Sequence, residues 1–251
     1  MAYDFARYLN IRSANTPVLA ADGTRVAFLS DITGNYGVWS VGLGNNPAEQ
    51  WPRQLTFFAD KVWEVHGTPA ANHLIAVGDV GGNERQQFYL ISNYGGDMAA
   101  HPPGQATHDV RKLTTNDAAI HRFGVWSRDG QHLYYTSNAR NNVDFDLYRM
   151  EVATGAVEEM HLLQGRRTIA AISPDERYLL CTEDLSSSQI ELYLVDLTTH
   201  TEEQLTTGQP PARYDAICWS ETGIYLLTDA IHDQGALCRY ELTTKTLTRL
   251  C

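Results

Sequence analysis

The sequence predicts an all-β protein, a β-propeller of about five four-stranded antiparallel blades. Three observations support this fold: a strand ending that recurs along the chain, a turn at a fixed place in each repeat, and a short apolar run after each turn. A repeat of about 40–50 residues, as in WD40-like repeats, is the length of one propeller blade. The sequence leaves open whether the blades close into a ring or form an open arc.

The recurring ending is a leucine followed by a threonine, with a terminal leucine and a degenerate methionine as variants. Successive leucine or methionine markers lie 58, 47, 45 and 45 residues apart. The longest step contains residues 92–109, rich in Gly, Pro and small polar residues, which we expect to form a long loop in the second blade. The markers are Leu55-Thr56, Leu113-Thr114, Met160, Leu205-Thr206 and Leu250.

A turn separates the first and second strand of each repeat. Asp-Gly and Asn favour the backbone conformations of tight hairpins, and an apolar run rich in β-branched and aromatic residues follows each turn. The turns are Asp22-Gly23, Ala71-Asn72, Asp129-Gly130, Asp175-Glu176 and Thr222-Gly223. After an N-terminal extension of residues 1–15, we therefore predict a propeller over 16–251 with blades at about 16–56, 62–114, 120–161, 167–206 and 213–251.

Composition narrows the function classes. With 251 residues and 43% hydrophobic content, the chain is long enough for a sizeable core. The formal net charge of −11 repels phosphate backbones, so we expect no nucleic-acid partner. No apolar run is long enough to span a bilayer and the start of the sequence lacks a signal-peptide pattern, so we expect no membrane association and a cytoplasmic location.

The cysteines and histidines predict neither a metal site nor a cofactor. The cysteines lack C-x-x-C or zinc-ligand spacing, and the three at Cys181, Cys218 and Cys238 lie in apolar runs where we expect them to be buried. The D-x-D element Asp144-Phe145-Asp146 lacks the glycine and distal glutamate of an EF-hand loop. The five tryptophans are predicted to pack between blades: Trp39, Trp51, Trp63, Trp126 and Trp219.

Alternate connections of an antiparallel meander fall at opposite ends of a blade. We call the end with the first-to-second-strand turns the turn end, and the end with the second-to-third-strand loops and the links between blades the loop end. The loop end is rich in charged side chains, and we weigh two interpretations equally, a functional surface and a solvated rim. Its charged residues are Asp31, Asp79, Glu84, Arg85, Arg140, Asp144, Glu183, Asp184, Asp229 and Asp233.

The repeat resembles a known family. The stretch 22–28, Asp-Gly-Thr-Arg-Val-Ala-Phe, and its repeats resemble the propeller repeat of translocation protein TolB and of serine peptidases of the prolyl oligopeptidase family. The stretch 81–90, Gly-Gly-Asn-Glu-Arg-Gln-Gln-Phe-Tyr-Leu, resembles a segment of the acylaminoacyl-peptidase and dipeptidyl-peptidase branches. The start, residues 8–12 followed by Pro17, is similar to the start of those propellers, so the resemblance covers nearly the whole chain.

This resemblance implies a two-part enzyme in which the propeller caps an α/β-hydrolase domain with a Ser-Asp-His triad and admits only small peptides. The sequence contains no G-x-S-x-G elbow, and the nearest string, at 37–42, has the wrong spacing and falls in a predicted strand. We therefore expect this chain to be inactive by itself and interpret it as the N-terminal part of such a peptidase, either a fragment or a truncated gene product. The alternative is a free-standing TolB-like propeller that serves as a protein-interaction platform.

The resemblance also implies candidate substrate-binding residues. In the dipeptidyl-peptidase branch, acidic propeller residues hold the free amino terminus of a substrate, a role that Glu84 can fill beside Asn83, while Arg85 can pair with a substrate carboxylate. The favoured alternative is a Glu84–Arg85 ion pair that only fixes the loop. An open arc of five blades would also expose strand edges in the first and last blades, which predicts self-association.

Overall fold

In the computed structural model, five four-stranded sheets confirm the predicted all-β propeller fold. The structure describes residues 12–45, 51–70, 73–92, 109–232 and 234–251. Within these residues the strands of every sheet follow one another in chain order and pair antiparallel. The chain divides between Ala118 and Ala119 into two compact units, which are described in turn.

The first unit contains blades one and two. Its first strands, β1 and β5, lie against each other, and the facing sides of the two sheets bury aliphatic side chains such as Leu29, Val38 and Leu74. Blade one consists of β1 (Ala14–Leu19), β2 (Arg25–Ser30), β3 (Gly37–Gly42) and β4 (Arg53–Gln54). Blade two consists of β5 (Val62–Gly67), β6 (Leu74–Gly78), β7 (Gln87–Ser92) and β8 (Asp109–Lys112).

The second unit contains blades three to five, and its first strands β9, β13 and β17 succeed one another side by side. Blade three consists of β9 (His121–Trp126), β10 (His132–Ser137), β11 (Asp146–Glu151) and β12 (Val157–His161). Blade four consists of β13 (Arg167–Ile172), β14 (Tyr178–Ser186), β15 (Gln189–Asp196) and β16 (Thr201–Gln204). Blade five consists of β17 (Tyr214–Ser220), β18 (Gly223–Thr228), β19 (Ala236–Glu241) and β20 (Thr246–Arg249).

At Gly124, β9 has no room for a side chain between its neighbour β10 and the Ile169 side chain of blade four. A Cβ atom on Gly124 would lie 2.6 Å from the carbonyl oxygen of Tyr134 and 2.7 Å from the Ile169 side chain. Since real Cβ contacts are longer than this, any larger residue at 124 would push β9 away from β13.

The Leu-Thr marker has a structural cause. The leucine N–H donates to a carbonyl of the third strand, and the threonine hydroxyl accepts from the N–H of that same third-strand residue, so two bonds tie the outer strand to its neighbour. The pairs are Leu55-Thr56 with Val38 (2.7 and 2.9 Å), Leu113-Thr114 with Phe88 (2.8 and 3.2 Å) and Leu205-Thr206 with Leu192 (2.8 and 3.3 Å).

Blade three ties its outer strand differently, which explains its degenerate marker. Met160 is only half-buried, and the buried leucine is Leu163, beyond a register shift in the β11–β12 pair. Its N–H donates to Oδ1 of the fully buried Asp146 at 2.9 Å, and Arg140 Nε donates to Oδ2 at 2.7 Å. A third-strand carboxylate thus replaces the threonine hydroxyl, and the guanidinium neutralises it.

Two packing expectations differ from the structure. Cys181 and Cys238 are buried as expected, but Cys218 is exposed because its neighbours Ile217 and Trp219 turn toward the core and strand residues alternate in direction. Trp51 is 78% exposed just before β4, where no second sheet covers it among the described residues, whereas Trp39 is buried.

Some predicted features lie outside the described residues, namely the start at 8–11, the Ala71-Asn72 turn, residues 93–108 of the second-blade loop, and Asp233. In the part of the chain that the structure describes, no helix is long and apolar enough to cross a membrane.

The Thr114 hydroxyl provides a test of the outer-strand tie. It is buried, accepts from the Phe88 N–H and donates to Gln87 Oε1 at 2.7 Å. Thr114→Val keeps the shape but leaves both partners unsatisfied, so we expect a loss of about 1–3 kcal/mol in unfolding free energy. Urea unfolding of this variant beside the exposed neighbour Thr115→Val checks it, and equal midpoints would show that the tie contributes nothing.

Candidate functional site

The loop that joins β6 and β7, residues 79–86, carries the three candidate binding residues at the loop end of blade two. We call it the blade-two loop. Gly81 and Gly82 have φ values of +65° and +68°, and Glu84 has a φ of +58°. Glycine adopts this left-handed region freely, whereas a glutamate there is disfavoured and must be held by its surroundings.

A buried carboxylate holds the loop from beneath. Asp79 is 5% exposed, and its two oxygens accept from Trp63 Nε1 at 3.1 Å and from the Glu84 N–H at 2.7 Å. On the other side of the loop, the Gly81 N–H donates to Asp60 Oδ2 at 2.9 Å. Bonds to ionised acceptors are the stronger kind, so they can maintain the unfavourable backbone at Glu84.

Arg85 fixes the loop at its far side, and the expected Glu84–Arg85 ion pair is not formed. The guanidinium of Arg85 instead donates to the carbonyl oxygen of Ala118, and its N–H donates to Asn83 Oδ1 at 2.9 Å. Buried Gln87 then donates to the Arg85 carbonyl at 3.2 Å. Arg85 therefore has its partners at Asn83 and Ala118 rather than at Glu84.

These contacts leave Glu84 presented to solvent. Its side chain is exposed, and among the described residues its carboxylate has neither a hydrogen bond nor an ion pair. Three apolar side chains are exposed at the same end of this unit, Val80 at 58%, Phe57 at 73% and Trp63 at 40%, the last with Lys61 Nζ 3.2 Å from its ring centroid. The arrangement combines one unpaired carboxylate with an apolar surface, a combination that suits a cationic group with an apolar body.

Most other loop-end charges within the two units hold the backbone. A side-chain oxygen near the end of a second strand, or directly after it, accepts from an N–H that precedes a first strand, which fastens the loop end of the blade to a link between blades. In the first unit Asp31 accepts from Ser13 at 2.7 Å. In the second unit the pairs are Asn138 with Ile120 (2.7 Å), Glu183 with Arg166 (3.2 Å) and Asp229 with Arg213 (2.7 Å).

The D-x-D element of blade three holds an arginine. Arg140 donates to Asp144 at 3.2 Å and to both oxygens of Asp146, while Asp144 also accepts from the Gly165 N–H at 2.8 Å. The Gly165 N–H and then the Asn141 amide lower the pKa of Asp144, and Arg140 adds to this effect. In the described part of the chain, no group of three or more His, Cys, Asp or Glu side chains is placed to hold a metal ion.

No protein-family model matches the chain. Over 104 residues the sequence is 28% identical to the Tol-Pal system protein TolB of Francisella tularensis, a stretch that covers 41% of this chain and 23% of that protein. The match therefore spans about a quarter of the length of these curated relatives.

Solved structures cover almost the whole chain. A putative TolB from Agrobacterium tumefaciens aligns with a TM-score of 0.60 at 19% identity, over 96% of this chain and 81% of that chain. The fold is that of a TolB-like β-propeller. A puromycin-hydrolyzing peptidase from Mycobacterium tuberculosis (TM-score 0.68, 15% identity) and prolyl oligopeptidase B from Galerina marginata (0.65, 12%) each align over 96% of this chain and 37% of theirs. TolB-like propellers and the propeller domains of prolyl oligopeptidases therefore both share this fold, and at these identities the likeness identifies the fold alone.

Sequence reasoning named Glu84, Arg85 and Asn83 but missed the anchor beneath them. The signal was present: an Asp or Asn recurs directly after the second strand at Asp31, Asp79, Asn138 and Asp229. A repeated acceptor at a fixed place in each repeat indicates a structural bond, and Asp79 differs from the others in supporting the blade-two loop itself.

Asp79→Asn tests this anchor. Because both carboxylate oxygens of Asp79 face donors, the amide nitrogen would face one of them, and we expect local stability of the loop to fall by about 1–3 kcal/mol. Hydrogen exchange of the Glu84 amide should accelerate accordingly. Asp117→Asn, at an exposed partner of Lys112, is the matched control and should leave that exchange rate unchanged, as exposed pairs contribute little. Equal rates in both variants would contradict the anchor.

Proposed function

We propose that this chain is the non-catalytic propeller portion of a serine peptidase, which selects peptides with a free amino terminus for an α/β-hydrolase domain. The observation that carries the proposal is Glu84, an exposed carboxylate without a partner among the described residues, held in a disfavoured backbone conformation by Asp79. Strained residues that the surrounding structure fixes in place are typical of functional sites.

The chemistry follows from charge and hydrogen bonding. A protonated α-amino group donates to the Glu84 carboxylate in a charge-assisted bond worth about 1.5–3 kcal/mol. The first apolar side chain of the peptide lies against the exposed surface of Val80 and Phe57. Asn83 Oδ1 accepts a hydrogen bond from the Arg85 N–H, so the side-chain amide nitrogen of Asn83 is available to donate to a peptide carbonyl. Arg85 holds the loop in this proposal and does not bind substrate.

The likeness to peptidase structures supports the hydrolase partner. This chain corresponds to 37% of the length of the puromycin-hydrolyzing peptidase and of prolyl oligopeptidase B, and the sequence has no nucleophile elbow. In this proposal the partner domain supplies the nucleophile, base and oxyanion donors, and the propeller contributes binding and access.

A cytoplasmic location belongs to the same proposal. All four cysteines, Cys181, Cys218, Cys238 and Cys251, are free thiols, and two of them are exposed. Unpaired exposed thiols persist in reducing compartments.

A free-standing interaction platform is the second candidate, and the TolB similarity favours it. The sequence match is to TolB proteins, and the chain aligns with 81% of the putative TolB from Agrobacterium tumefaciens. The codons that follow Cys251 in the gene discriminate between the candidates: a continuing frame with a G-x-S-x-G elbow supports the peptidase, and a stop codon supports the platform.

The chain alone should not hydrolyse peptide p-nitroanilides, because the sequence provides no activated nucleophile. Absorbance assays with purified chain check this expectation. Turnover that disappears when a residue of this chain is substituted would contradict the non-catalytic role.

Glu84→Gln tests the amino-terminus site. We expect the variant to bind Ala-Phe-Ala-amide about tenfold more weakly than the unsubstituted chain, a change of about 1.4 kcal/mol, since the charge-assisted bond is lost. Binding of the N-acetylated peptide should be weak and unaffected. For the free peptide, affinity should also fall as pH rises through about 8, where the α-amino group loses its proton.

Glu159→Gln, at an exposed glutamate of the second unit, is the matched control for Glu84→Gln and should bind Ala-Phe-Ala-amide like the unsubstituted chain. Calorimetric titration measures all of these affinities. If the acetylated peptide binds as tightly as the free one, Glu84 does not recognise an amino terminus.

A further inference from the structure

A groove of about 440 Å³ lies between blades four and five, at their turn end. The first-to-second-strand turns of both blades and the third-to-fourth-strand turn of blade five form its walls. The rings of Tyr178 and Trp219 stack in it with centroids 6.4 Å apart and planes at 19°. Its size is typical of sites for small molecules and single side chains.

One wall of the groove contains a buried hydroxyl that lacks a partner. Tyr240 lines the groove and is 8% exposed, and its hydroxyl has no hydrogen bond within the described structure. Buried polar groups are nearly always satisfied in folded proteins, and each exception calls for an explanation. A ligand in the groove that offers an N–H donor would satisfy this oxygen.

The rim of the groove is acidic. Asp175, Glu221 and Glu241 lie on it, and none of the described residues that line it is Lys or Arg. The Ser173 hydroxyl and then the Arg177 N–H lower the pKa of Asp175, which keeps this carboxylate ionised. The guanidinium of Arg177 is bound to Asp196 at 2.8 and 3.2 Å and lies 4.8 Å from the centroid of the Tyr178 ring, and Arg239 lies 3.9 Å from Glu241. Glu221 is therefore the rim carboxylate that has neither an ion pair nor a hydrogen bond among the described residues.

A planar cation can contact the aromatic ring, the carboxylates and the phenol oxygen of the groove at the same time. A guanidinium can stack on an aromatic ring while its edge donates to carboxylates and to a phenol oxygen, whereas an ammonium group presents a compact charge. The chain contains this arrangement internally: the Arg167 guanidinium lies 3.3 Å from the centroid of the Tyr193 ring. Glu183 and Glu202 accept from its edge.

We propose that the groove between blades four and five binds the arginine side chain of a peptide or protein segment. The guanidinium stacks on the Trp219 ring, is attracted by the carboxylates of Glu221 and Asp175, and donates to the Tyr240 hydroxyl. The site recognises a side chain at the turn end of its blades, so it stands independently of amino-terminus binding by Glu84 at the loop end of blade two.

The first test uses the whole chain and the peptide Ac-Ala-Arg-Ala-amide, whose blocked termini remove any contribution from amino-terminus recognition. The matched probe replaces arginine with citrulline, which keeps the planar shape and loses the charge. We expect the arginine peptide to bind at least about tenfold more tightly, with an affinity that falls as salt rises. Equal affinities for the two peptides, or no binding of either, would overturn the proposal.

Two variants locate the site. Tyr240→Phe removes the unpartnered oxygen, so it should weaken binding of the arginine peptide by about three- to tenfold and leave thermal stability equal or higher. The double variant Glu221→Gln, Glu241→Gln should weaken binding further and reduce its dependence on salt. Glu84→Gln should bind the arginine peptide normally. A Tyr240→Phe variant that binds the arginine peptide as tightly as the unsubstituted chain, or that melts at a lower temperature, would refute the role of the hydroxyl.

Discussion

The structure depends on how each blade fastens its short outer strand. In blades one, two and four a threonine hydroxyl accepts from a third-strand N–H, and in blade three the carboxylate of Asp146 receives the N–H of Leu163. A four-stranded sheet whose last strand has two to five residues gains little from its own ladder, so a buried side-chain acceptor strengthens the pairing in these four blades. In blade five the Leu250 N–H donates to the Leu237 carbonyl at 2.8 Å. The same position on the third strand carries Gln87, Asp146 and Glu191, each of which engages the outer strand or the link after it.

At the loop end, buried or partly buried side-chain acceptors fasten the links between blades in the same way. There Asp31, Asn138 and Asp229 each follow a second strand and accept a hydrogen bond from an N–H at the start of the blade. Blade two departs from this pattern because Asp79 accepts hydrogen bonds from Trp63 Nε1 and from the Glu84 N–H. Asp79 thus supports an exposed loop, and the carboxylate of Glu84 that this loop presents has no partner among the described residues.

The sequence predicted the fold well because a propeller repeats its local rules. Turn chemistry, strand periodicity and the Leu-Thr marker each recur, so an error in one blade is corrected by the others. The sequence-based predictions failed for individual side chains whose exposure or partner the repeat does not determine. Trp39 lies within the apolar strand β3 and is buried, whereas Trp51 directly precedes Pro52 outside any strand and is exposed, a local difference that one shared expectation for all five tryptophans ignored. Adjacency in sequence suggested a Glu84–Arg85 pair, but the Arg85 guanidinium donates to the Ala118 carbonyl instead. An apolar run does not bury all of its residues, because side chains alternate in direction along a strand, and Cys218 is exposed for this reason.

Charge alone does not identify a binding site in a chain with 30 Asp and Glu residues and 19 Lys and Arg residues. At physiological salt the field of the whole molecule is screened within about 8 Å, so it speeds the encounter with cationic partners without choosing a contact point. Selection requires a carboxylate that the fold has left unpaired beside a surface that excludes some water. Asp144, Asp146 and Glu183 fail this criterion because Arg140 and Arg167 already occupy them. Among the described residues Glu84 and Glu221 have no such partner, and their neighbours differ: exposed Val80 and Phe57 lie at the loop end that carries Glu84, whereas the stacked Tyr178 and Trp219 rings line the groove that carries Glu221. The two proposals, an amino terminus for the first carboxylate and a guanidinium for the second, rest on that difference.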